Sequence, residues 1–339
     1  MTDRSSQDEF PTYAELQNRP GAARGTAWGI FGDDDEIGTL NHLTPERVLA
    51  ALACAKTGEV VNLDLPLEAF DPPVIGTRRA LQHTIFANNP HHRDDHVDQL
   101  YLQSGSQLDG LRHIGHPDHG FYNGVDPALF EAGEPTLGIN RYAEHGIVGR
   151  GVLLDVDRYR RSVGRPVDHD GAEAIPVADV EATAQHQGVD LVAGDILMIR
   201  TGWAYHYLHE LDDEGRAASR SPLRASGLLA NEETAAWLWD NRFAVVATDN
   251  FALEAWPAPA DSPFVSRAEE AGEVARSSHT GLLHRVLIPL LGMALGELWD
   301  LDALADRCAQ DERWDCLVIA KPLNLTGGAG SPANALAIR

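Results

Sequence analysis

The apolar positions of this chain fall into short continuous runs and longer amphipathic stretches that alternate along the sequence. Short runs bounded by polar residues indicate buried strands, and strand candidates lie at 60–65, 151–156, 195–200, 243–248 and 316–321. Apolar residues at helical spacing, with capping or terminating residues at some ends, predict helices at 44–58, 177–187, 231–241 and 298–310. Because strands and helices are interspersed throughout, we predict an α/β or α+β fold.

Two stretches differ from this alternation. Residues 1–24 are polar and predict an N-terminal arm, so that the folded domain would span residues 25–339. Residues 70–98 are rich in Pro, Asn, His and Asp, and we predict a long loop there, of the kind that is often functional in compact enzymes. No change in composition is sharp enough to divide residues 25–339 into two domains.

Composition and charge exclude several classes of protein. With 339 residues and 43% hydrophobic content, the chain can bury a full core. A net charge of -24 argues against nucleic acid or an anionic membrane as a partner. The cysteines Cys54, Cys308 and Cys316 form no CxxC pair, which speaks against a cysteine zinc site or a disulfide framework. Without an apolar signal core or membrane span, we expect a cytoplasmic protein.

The most informative polar segment is residues 103–113, with the sequence QSGSQLDGLRH. If residues 103–109 form a strand, side chains alternate between its faces, and Gln103, Gln107 and Asp109 converge on one side. His113 would then follow just beyond the strand. A buried strand face is normally apolar, so this polar face indicates either a functional site or an exposed edge followed by a turn.

Two further segments contain residue types that bind metals. Residues 91–96 (HHRDDH) approach the HxHxDH pattern of metallo-β-lactamase-like hydrolases, but Arg93 occupies the second histidine position, so we favour a solvated loop. Elsewhere, His284 and Glu297 bracket a strongly apolar run. This pair indicates either part of a polar site or an amphipathic helix that ends at Gly292 and is followed by a capping carboxylate.

Motifs for other common chemistries are missing from the sequence. It contains no GxSxG elbow, no GxxxxGK[ST] phosphate loop and no GxGxxG after a strand. The glycine-rich segment 327–332 lacks the lysine and the following helix of a phosphate loop, so we predict a turn that packs closely against another backbone segment.

Taken together, these segments resemble the cyclase family of hydrolases, which includes bacterial kynurenine formamidase and isatin hydrolase. The resemblance extends from about residue 28 to residue 338. It rests on ordered matches at WGIFGDDDEIGTLN (28–41), YNG (122–124), GIVGRGVLLD (146–155), GDILMIRTGW (194–203), TDN (248–250), the segment 284–297 and GAGSP (328–332). The resemblance implies one α/β domain with the swivelling β/β/α architecture, assembled as a homodimer or homotetramer.

The family signature, HxGTHxDxPxH, lies over residues 103–113. Asp109 and His113 match it, whereas Gln103 and Gln107 stand where the family has metal-binding histidines. In relatives the aspartate binds a metal ion and the last histidine acts as general acid or base. The resemblance therefore assigns these catalytic roles to Asp109 and His113.

The two glutamines should weaken one metal position and leave a second one intact. A neutral amide oxygen is a poorer zinc ligand than an imidazole nitrogen. The resemblance places His284 and Glu297 at the later ligand pair of the family. It therefore implies that Asp109, His284 and Glu297, with Gln107 beside them, hold one divalent ion, zinc or manganese.

The first functional hypothesis is a hydrolase of a small amide, lactone or imide that uses one metal-activated water, with His113 as general acid/base. In this hypothesis Gln103, Gln107, Tyr122 and Trp203 contact the small-molecule substrate. Two alternatives stay open. One is a metal-independent cyclase or dehydratase that acts on a small carbonyl compound, and the other is a non-catalytic homologue that only binds a small molecule.

Overall fold

A mixed β-sheet with parallel strands at its centre forms the framework of the molecule. The computed structural model describes residues 10–21, 24–131 and 133–339. Within these residues the strands are β1 (Val60–Asn62), β2 (Gln82–Asn89), β3 (His92–Asp98), β4 (Gln107–Asp109), β5 (Ile147–Asp155), β6 (Ala174–Ile175), β7 (Ile196–Arg200), β8 (Gly227–Leu228), β9 (Val245–Thr248), β10 (Ala294–Glu297), β11 (Asp315–Ala320), β12 (Gly330–Pro332) and β13 (Ala335–Ile338).

Nine of these strands form one sheet in the order β1-β13-β11-β5-β7-β9-β10-β4-β12. Strands β5, β7, β9 and β10 pair in parallel, and every residue of β7, β9 and β10 is buried. A strand that is buried on both faces needs a continuous apolar run, which explains the pattern in the sequence. Antiparallel strands flank this centre, with β11 and β13 on one side and β4 and β12 on the other.

Several helices begin at residues whose side chains cap them. In chain order the helices are α1 (Tyr13–Gln17), α2 (Pro45–Ala51), α3 (Ile139–His145), α4 (Val156–Ser162), α5 (Val177–Gln187), α6 (Trp203–Tyr205), α7 (Asp213–Ser219), α8 (Glu232–Asp240), α9 (Arg267–Glu270), α10 (His284–Leu287) and α11 (Asp302–Asp311). The Asn231 side chain accepts the Thr234 backbone N–H at 2.8 Å and so caps α8. Helix α5 ends at Gly188, which has a left-handed φ of 63°.

The predicted fold class is confirmed: the chain forms one mixed α/β domain around a curled mixed sheet. The apolar runs become β5, β7, β9 and β11, and the helices predicted at 177–187 and 231–241 are α5 and α8. Two predicted helices are shorter than expected. Helix α2 passes into a 3₁₀ turn after Ala51, and α11 starts only at Asp302 because the preceding residues leave strand β10.

The predicted loop at 70–98 is wrong for its second half, where β2 and β3 form an antiparallel hairpin. All residues of both strands are exposed. The hairpin stands clear of the core, so neither of its faces needs an apolar stripe, and the alternation that marks a half-buried strand is missing. A shift in strand register between Ala87 and Asn89 adds to the irregularity.

Of the two interpretations of residues 284–297, the amphipathic helix followed by a capping carboxylate is not the one found. Helix α10 contains only His284–Leu287, and the chain then turns and enters the buried strand β10. Glu297 is the last residue of that strand and does not cap a helix. Similarly, the strand predicted at 103–109 is limited to Gln107–Asp109.

The described part of the predicted N-terminal arm packs against the domain, while residues 1–9 and 22–23 lie outside the described residues. A capping box formed by Thr12 and Glu15 starts α1, and Tyr13 and Leu16 are buried. The Trp239 indole N–H donates to the Pro11 carbonyl at 2.8 Å, which joins this segment to α8. The boundary at residue 24 stays a prediction.

None of the described helices combines the length and the hydropathy needed to cross a bilayer.

Candidate metal centre and active site

Strands β4 and β10 bring polar side chains together inside the sheet. They are antiparallel neighbours in which Gln107 lies opposite Glu297 and Asp109 lies opposite Leu295. The Gln107 amide nitrogen donates a hydrogen bond to a Glu297 carboxylate oxygen. Only 1% of Asp109 and 4% of Glu297 is exposed, so two carboxylates are held almost without water.

His284 joins these carboxylates from the start of α10. Its Nε2 atom lies 2.8 Å from Glu297 Oε1 and 3.7 Å from Asp109 Oδ2. Its Nδ1 atom lies 2.9 Å from Glu254 Oε1, and the same carboxylate accepts the His284 backbone N–H at 3.3 Å. The fully buried Glu254 therefore fixes the imidazole with Nε2 directed at Asp109 and Glu297.

Three buried acceptor atoms at this point have no hydrogen-bond donor among the described residues. They are both carboxylate oxygens of Asp109 and the amide oxygen of Gln107. A buried acceptor without a partner costs about 1–3 kcal/mol, so such a cluster calls for a compensating positive charge. Ligand atoms of Asp109, His284 and Glu297 all lie within 4.8 Å of one another, so these residues fit a divalent cation.

Burial and charge crowding shift the proton equilibria of this group. Burial, reinforced by the Asp109 carboxylate, raises the pKa of Glu297 to about 7. Burial also opposes ionisation of Asp109, but His113 and His284 hold the pKa of this carboxyl below its usual range. Burial disfavours a charged His284, yet Glu254 and the surrounding hydrogen bonds raise the pKa of this imidazole well above its ordinary value. Protons and a metal ion would therefore compete for the same atoms.

His113 lies beside this group in the position of a proton-transfer residue. It follows β4 by four residues, and its Nε2 atom lies 3.8 Å from Asp109 Oδ1. Burial lowers the pKa of His113, although the Asp109 carboxylate opposes that effect. The imidazole is therefore neutral near pH 7 and able to accept a proton. Its side chain keeps 21% exposure, which leaves it open to a small molecule.

The two glutamines of the signature segment reach the centre by different routes. Gln107 is part of β4, whereas Gln103 lies in the turns that precede it, so strand alternation does not explain the position of Gln103. The position of the Gln103 side chain is instead defined by its distance from Gly330, which pairs with Asp109 across β4 and β12. A methyl group at Gly330 would lie 2.8 Å from the Gln103 amide nitrogen and 3.4 Å from Asp109 Oδ1. Both glutamines therefore flank Asp109.

Packing accounts for the positions of Tyr122 and Trp203. Tyr122 is fully buried, packs against Gly292, and donates its hydroxyl to Asp35 Oδ2 at 3.0 Å. Trp203 belongs to a separate apolar cluster, where it stacks on Tyr207 with ring centroids 5.1 Å apart. Their roles as substrate contacts stay predictions.

Two residues of this region were not predicted from the sequence. Glu254 is the one charged residue in the apolar stretch 251–256, and that isolation was the available signal of a buried partner. Arg78 lies in the irregular segment before β2 and donates to the Gln103 backbone carbonyl. Its segment has no periodicity from which its position could be predicted.

The histidine-rich segment 91–96 lies in the β2–β3 hairpin, away from this group. Its ion pairs join exposed side chains, such as His83 to Asp95 at 2.8 Å and His92 to Asp94 at 3.1 Å. Among the described residues, the one group of three or more metal-ligating side chains with converging atoms is Asp109, His284 and Glu297. This agrees with the solvated character predicted for residues 91–96.

Comparison with solved structures places the fold among known relatives. A structure described as a novel cyclase has a TM-score of 0.78 and 32% identity, and the match covers 93% of this chain and 99% of that one. Isatin hydrolase A from Labrenzia aggregata, bound to benzyl benzoate, matches at TM-score 0.54 and 16% identity over 86% of this chain and 97% of that one.

Isatin hydrolase A from Ralstonia solanacearum shares the fold at TM-score 0.52 and 16% identity, over 87% of this chain and 98% of that one. A comparison with curated proteins gives no match. The family model described as putative cyclase matches residues 61–255, which include β4, His113 and Glu254. With more than half of its length matched, the chain belongs to the putative cyclase family.

Proposed function

We propose that this protein is a hydrolase that opens the C–N or C–O bond of a small amide, lactone or imide at the group formed by Asp109, His284 and Glu297. The observation that carries the proposal is the pair of buried Asp109 oxygens that accept no hydrogen bond beside His284 and Glu297. The shared fold with structures named isatin hydrolase supports the same class of chemistry.

Asp109, His284 through Nε2, and Glu297 would hold one divalent ion, with the Gln107 amide oxygen beside them. Carboxylate and imidazole ligands suit zinc and manganese alike. When bound, such an ion supplies Lewis acidity, which polarises a carbonyl group and lowers the pKa of a coordinated water.

His113 moves the proton in the proposed reaction. A water oxygen bonds to the substrate carbonyl carbon, and its proton passes to the neutral His113 imidazole. The C–N or C–O bond then breaks, and His113 returns the proton to the leaving nitrogen or oxygen. The lowered pKa of His113 keeps the imidazole in the form that accepts the first proton.

The glutamines orient the group and the substrate. The hydrogen bond from Gln107 to Glu297 turns the Gln107 amide oxygen away from that carboxylate. The Gln103 amide nitrogen lies next to Gly330, beside Asp109, where it can donate to a carbonyl oxygen that gains negative charge.

The test combines metal analysis with turnover. Protein purified without added metal is analysed by inductively coupled plasma mass spectrometry and assayed on a panel of small amides, lactones and imides. We expect one zinc or manganese ion per chain, turnover that a chelator abolishes and metal restores, and loss of turnover with retained metal in His113→Ala. Full activity in metal-free protein would contradict the proposal.

A second candidate is metal-independent acid–base chemistry on a small carbonyl compound. It is favoured by the contacts of His284, whose ring nitrogens lie 2.9 Å from Glu254 Oε1 and 2.8 Å from Glu297 Oε1 and so link two carboxylates in a chain suited to proton transfer. Turnover that a chelator leaves unchanged but His113→Ala removes would identify this function. Ligand-induced stabilisation without turnover on the same panel would instead identify a non-catalytic binding protein.

We further propose that the chain acts as a homodimer or homotetramer. The hairpin β2–β3 exposes Ile85, Phe86 and Val97, and a two-stranded hairpin is marginally stable on its own. Sedimentation velocity of the wild type and of Ile85→Asp/Phe86→Asp tests this proposal. We expect an oligomer that the double substitution dissociates, and a monomeric wild type would contradict it.

A further inference from the structure

Arg78 is a cation at the edge of the proposed active site. It lies in the turn before β2, where its backbone N–H donates to the Ile75 carbonyl at 3.0 Å, and its guanidinium donates to the Gln103 carbonyl. The Gln103 side chain in turn lies beside Asp109. The guanidinium is thus attached to the same segment that supplies both signature glutamines, and it is only partly buried.

The hydrogen bonding of Arg78 differs from that of the buried arginines. Four buried arginines each form at least one ion pair with a carboxylate: Arg160, Arg200, Arg285 and Arg339. Arg112 donates instead to four backbone carbonyls. Within the described ranges, Arg78 forms no ion pair, and its guanidinium, with five N–H donors, donates only to the Gln103 carbonyl.

The Arg78 guanidinium lies within electrostatic range of the proposed site. Burial lowers its pKa, whereas the Glu297 and Asp109 carboxylates raise it, so Arg78 interacts electrostatically with both without forming an ion pair with either. Arg78 therefore offers this edge of the site a permanently charged guanidinium that no carboxylate of the described residues pairs with directly.

We propose that Arg78 binds a carboxylate group of the substrate, so that the site takes small amides, lactones or imides that carry a carboxylate near the scissile carbonyl. This inference rests on the proposed function for the location of the substrate. A guanidinium has the planar fork of donors that matches a carboxylate, and Arg78 is hydrogen-bonded to Gln103, whose side chain lies beside Asp109.

The test measures binding with a matched pair of probes that differ in charge, benzoate and benzamide. Dissociation constants are determined by isothermal titration calorimetry on the metal-loaded wild type and on Arg78→Gln, Arg78→Lys and Arg79→Gln. Arg79 is the exposed neighbour, so its substitution changes the net charge equally without changing the site. Unfolding curves of each variant establish that it is folded.

We expect Arg78→Gln to weaken benzoate binding by about 10- to 100-fold, the range for a hydrogen bond to a charged group, and to change benzamide binding by less than about threefold. Arg78→Lys should retain part of the benzoate affinity, because it keeps the charge and loses the fork. Arg79→Gln should behave as the wild type.

Three results would overturn the inference: no preference of the wild type for benzoate, equal losses for both probes in Arg78→Gln, or an equal loss in Arg79→Gln. If Arg78→Gln does not fold, Arg78→Lys decides: a partial loss of benzoate affinity with unchanged benzamide binding supports the inference, and unchanged benzoate affinity or equal losses for both probes overturn it. Because the assay needs no turnover, a protein that binds benzoate through Arg78 yet hydrolyses nothing would refute the proposed function alone.

Discussion

The β2–β3 hairpin and the Asp109 centre both contain the side chains that bind metals, but under opposite physical conditions. The hairpin has four histidines and three aspartates within residues 82–98, all of them exposed. The centre takes Asp109, His284 and Glu297 from segments far apart in the sequence and buries all three. The density of ligand-type residues along a chain therefore says little about where a metal site lies.

Solvation explains the contrast. In the hairpin, water satisfies the acceptors, and exposed ion pairs such as His83 with Asp95 contribute about 0–1 kcal/mol. In the centre, water is excluded, and the oxygens of Asp109 have no donor among the described residues. Unsatisfied acceptors in a dry environment, rather than the residue count, mark the place where a cation would stabilise the protein.

The largest effect is expected for Asp109→Asn. The substitution removes the carboxylate that faces both His113 and His284, so we expect the loss of bound metal and a loss of kcat/KM above about 10⁴-fold, beyond the range for one proton-transfer group. Metal analysis and steady-state kinetics measure it. Asp95→Asn in the hairpin is the matched control and should retain the bound metal and the wild-type kcat/KM. Equal effects of the two substitutions would refute the distinction between the hairpin and the Asp109 centre.

His113→Ala should separate chemistry from metal binding. His113 is placed to transfer a proton, so its loss should lower kcat by about 10²–10⁴-fold while the metal content stays at the wild-type level. In His113→Ala, the pH profile of kcat/KM should also lose the limb that reports the ionisation of a general base. His91→Ala, in the turn of the hairpin, serves as control, and a His113→Ala protein that loses its metal would contradict the assigned role.

Glu254→Gln should have a smaller effect, because Glu254 acts through His284. The amide can keep one hydrogen bond to Nδ1 but loses the charge that orients the imidazole, so metal affinity should fall by about 10- to 100-fold. Competition with a chromophoric chelator measures the affinity, and thermal unfolding in the presence of chelator monitors the fold. An unchanged affinity with a destabilised fold would mean that Glu254 is only structural.

The pH dependence of stability should report a buried histidine outside the site. Burial, with help from Arg47 and Arg242, lowers the pKa of His42 to about 4 from 6.5. Between these two pKa values only the unfolded chain binds a proton at His42. The free energy of unfolding therefore contains the full contribution of His42 above pH 6.5 and loses about 3 kcal/mol of it as the pH decreases to 4. Urea unfolding of His42→Phe should show a shallower slope in this window, whereas His91→Phe should not.

The smallest effect is expected from the combined substitution of His83, His91, His92 and His96 by alanine. These side chains are exposed, and the ion pairs of His83 and His92 are solvent-screened. Metal content and kcat/KM should stay within about twofold of the wild type. Loss of a bound metal ion would show that the hairpin contributes a ligand after all.

How far the sequence predicts this molecule depends on what each segment buries. Strands β5, β7 and β9 were predictable because burial on both faces demands an apolar run. The hairpin was not, since water contacts both of its faces. Strand β4 was predicted too long: Gly105 and the serines around it form turns, and β10 and β12 pair only with Gln107–Asp109.

The centre itself was predictable only in part. Asp109, His284 and Glu297 were assigned through family resemblance, and the structure brings them within reach of one ion. The contact between His284 and Glu254 could not be predicted from the sequence. The isolation of Glu254 in an apolar stretch indicates that it is buried, but it does not indicate which residue it contacts. Arg78 was inaccessible for a related reason: its position depends on a tertiary contact with the Gln103 carbonyl, and local patterns do not encode such contacts.

The strand order of the sheet has a consequence for how the protein is made. Strand β1 has β13 as its neighbour, and β4, which carries Asp109, is paired on its outer side by β12. A growing chain therefore holds an early strand without its partner until synthesis has passed residue 338. Such long-range pairing is slow and leaves strand edges open to association in the meantime. A premature stop between the end of β10 and the start of β12 would yield a fragment that contains Asp109, His284 and Glu297 but lacks the strand that pairs with β4 on its outer side.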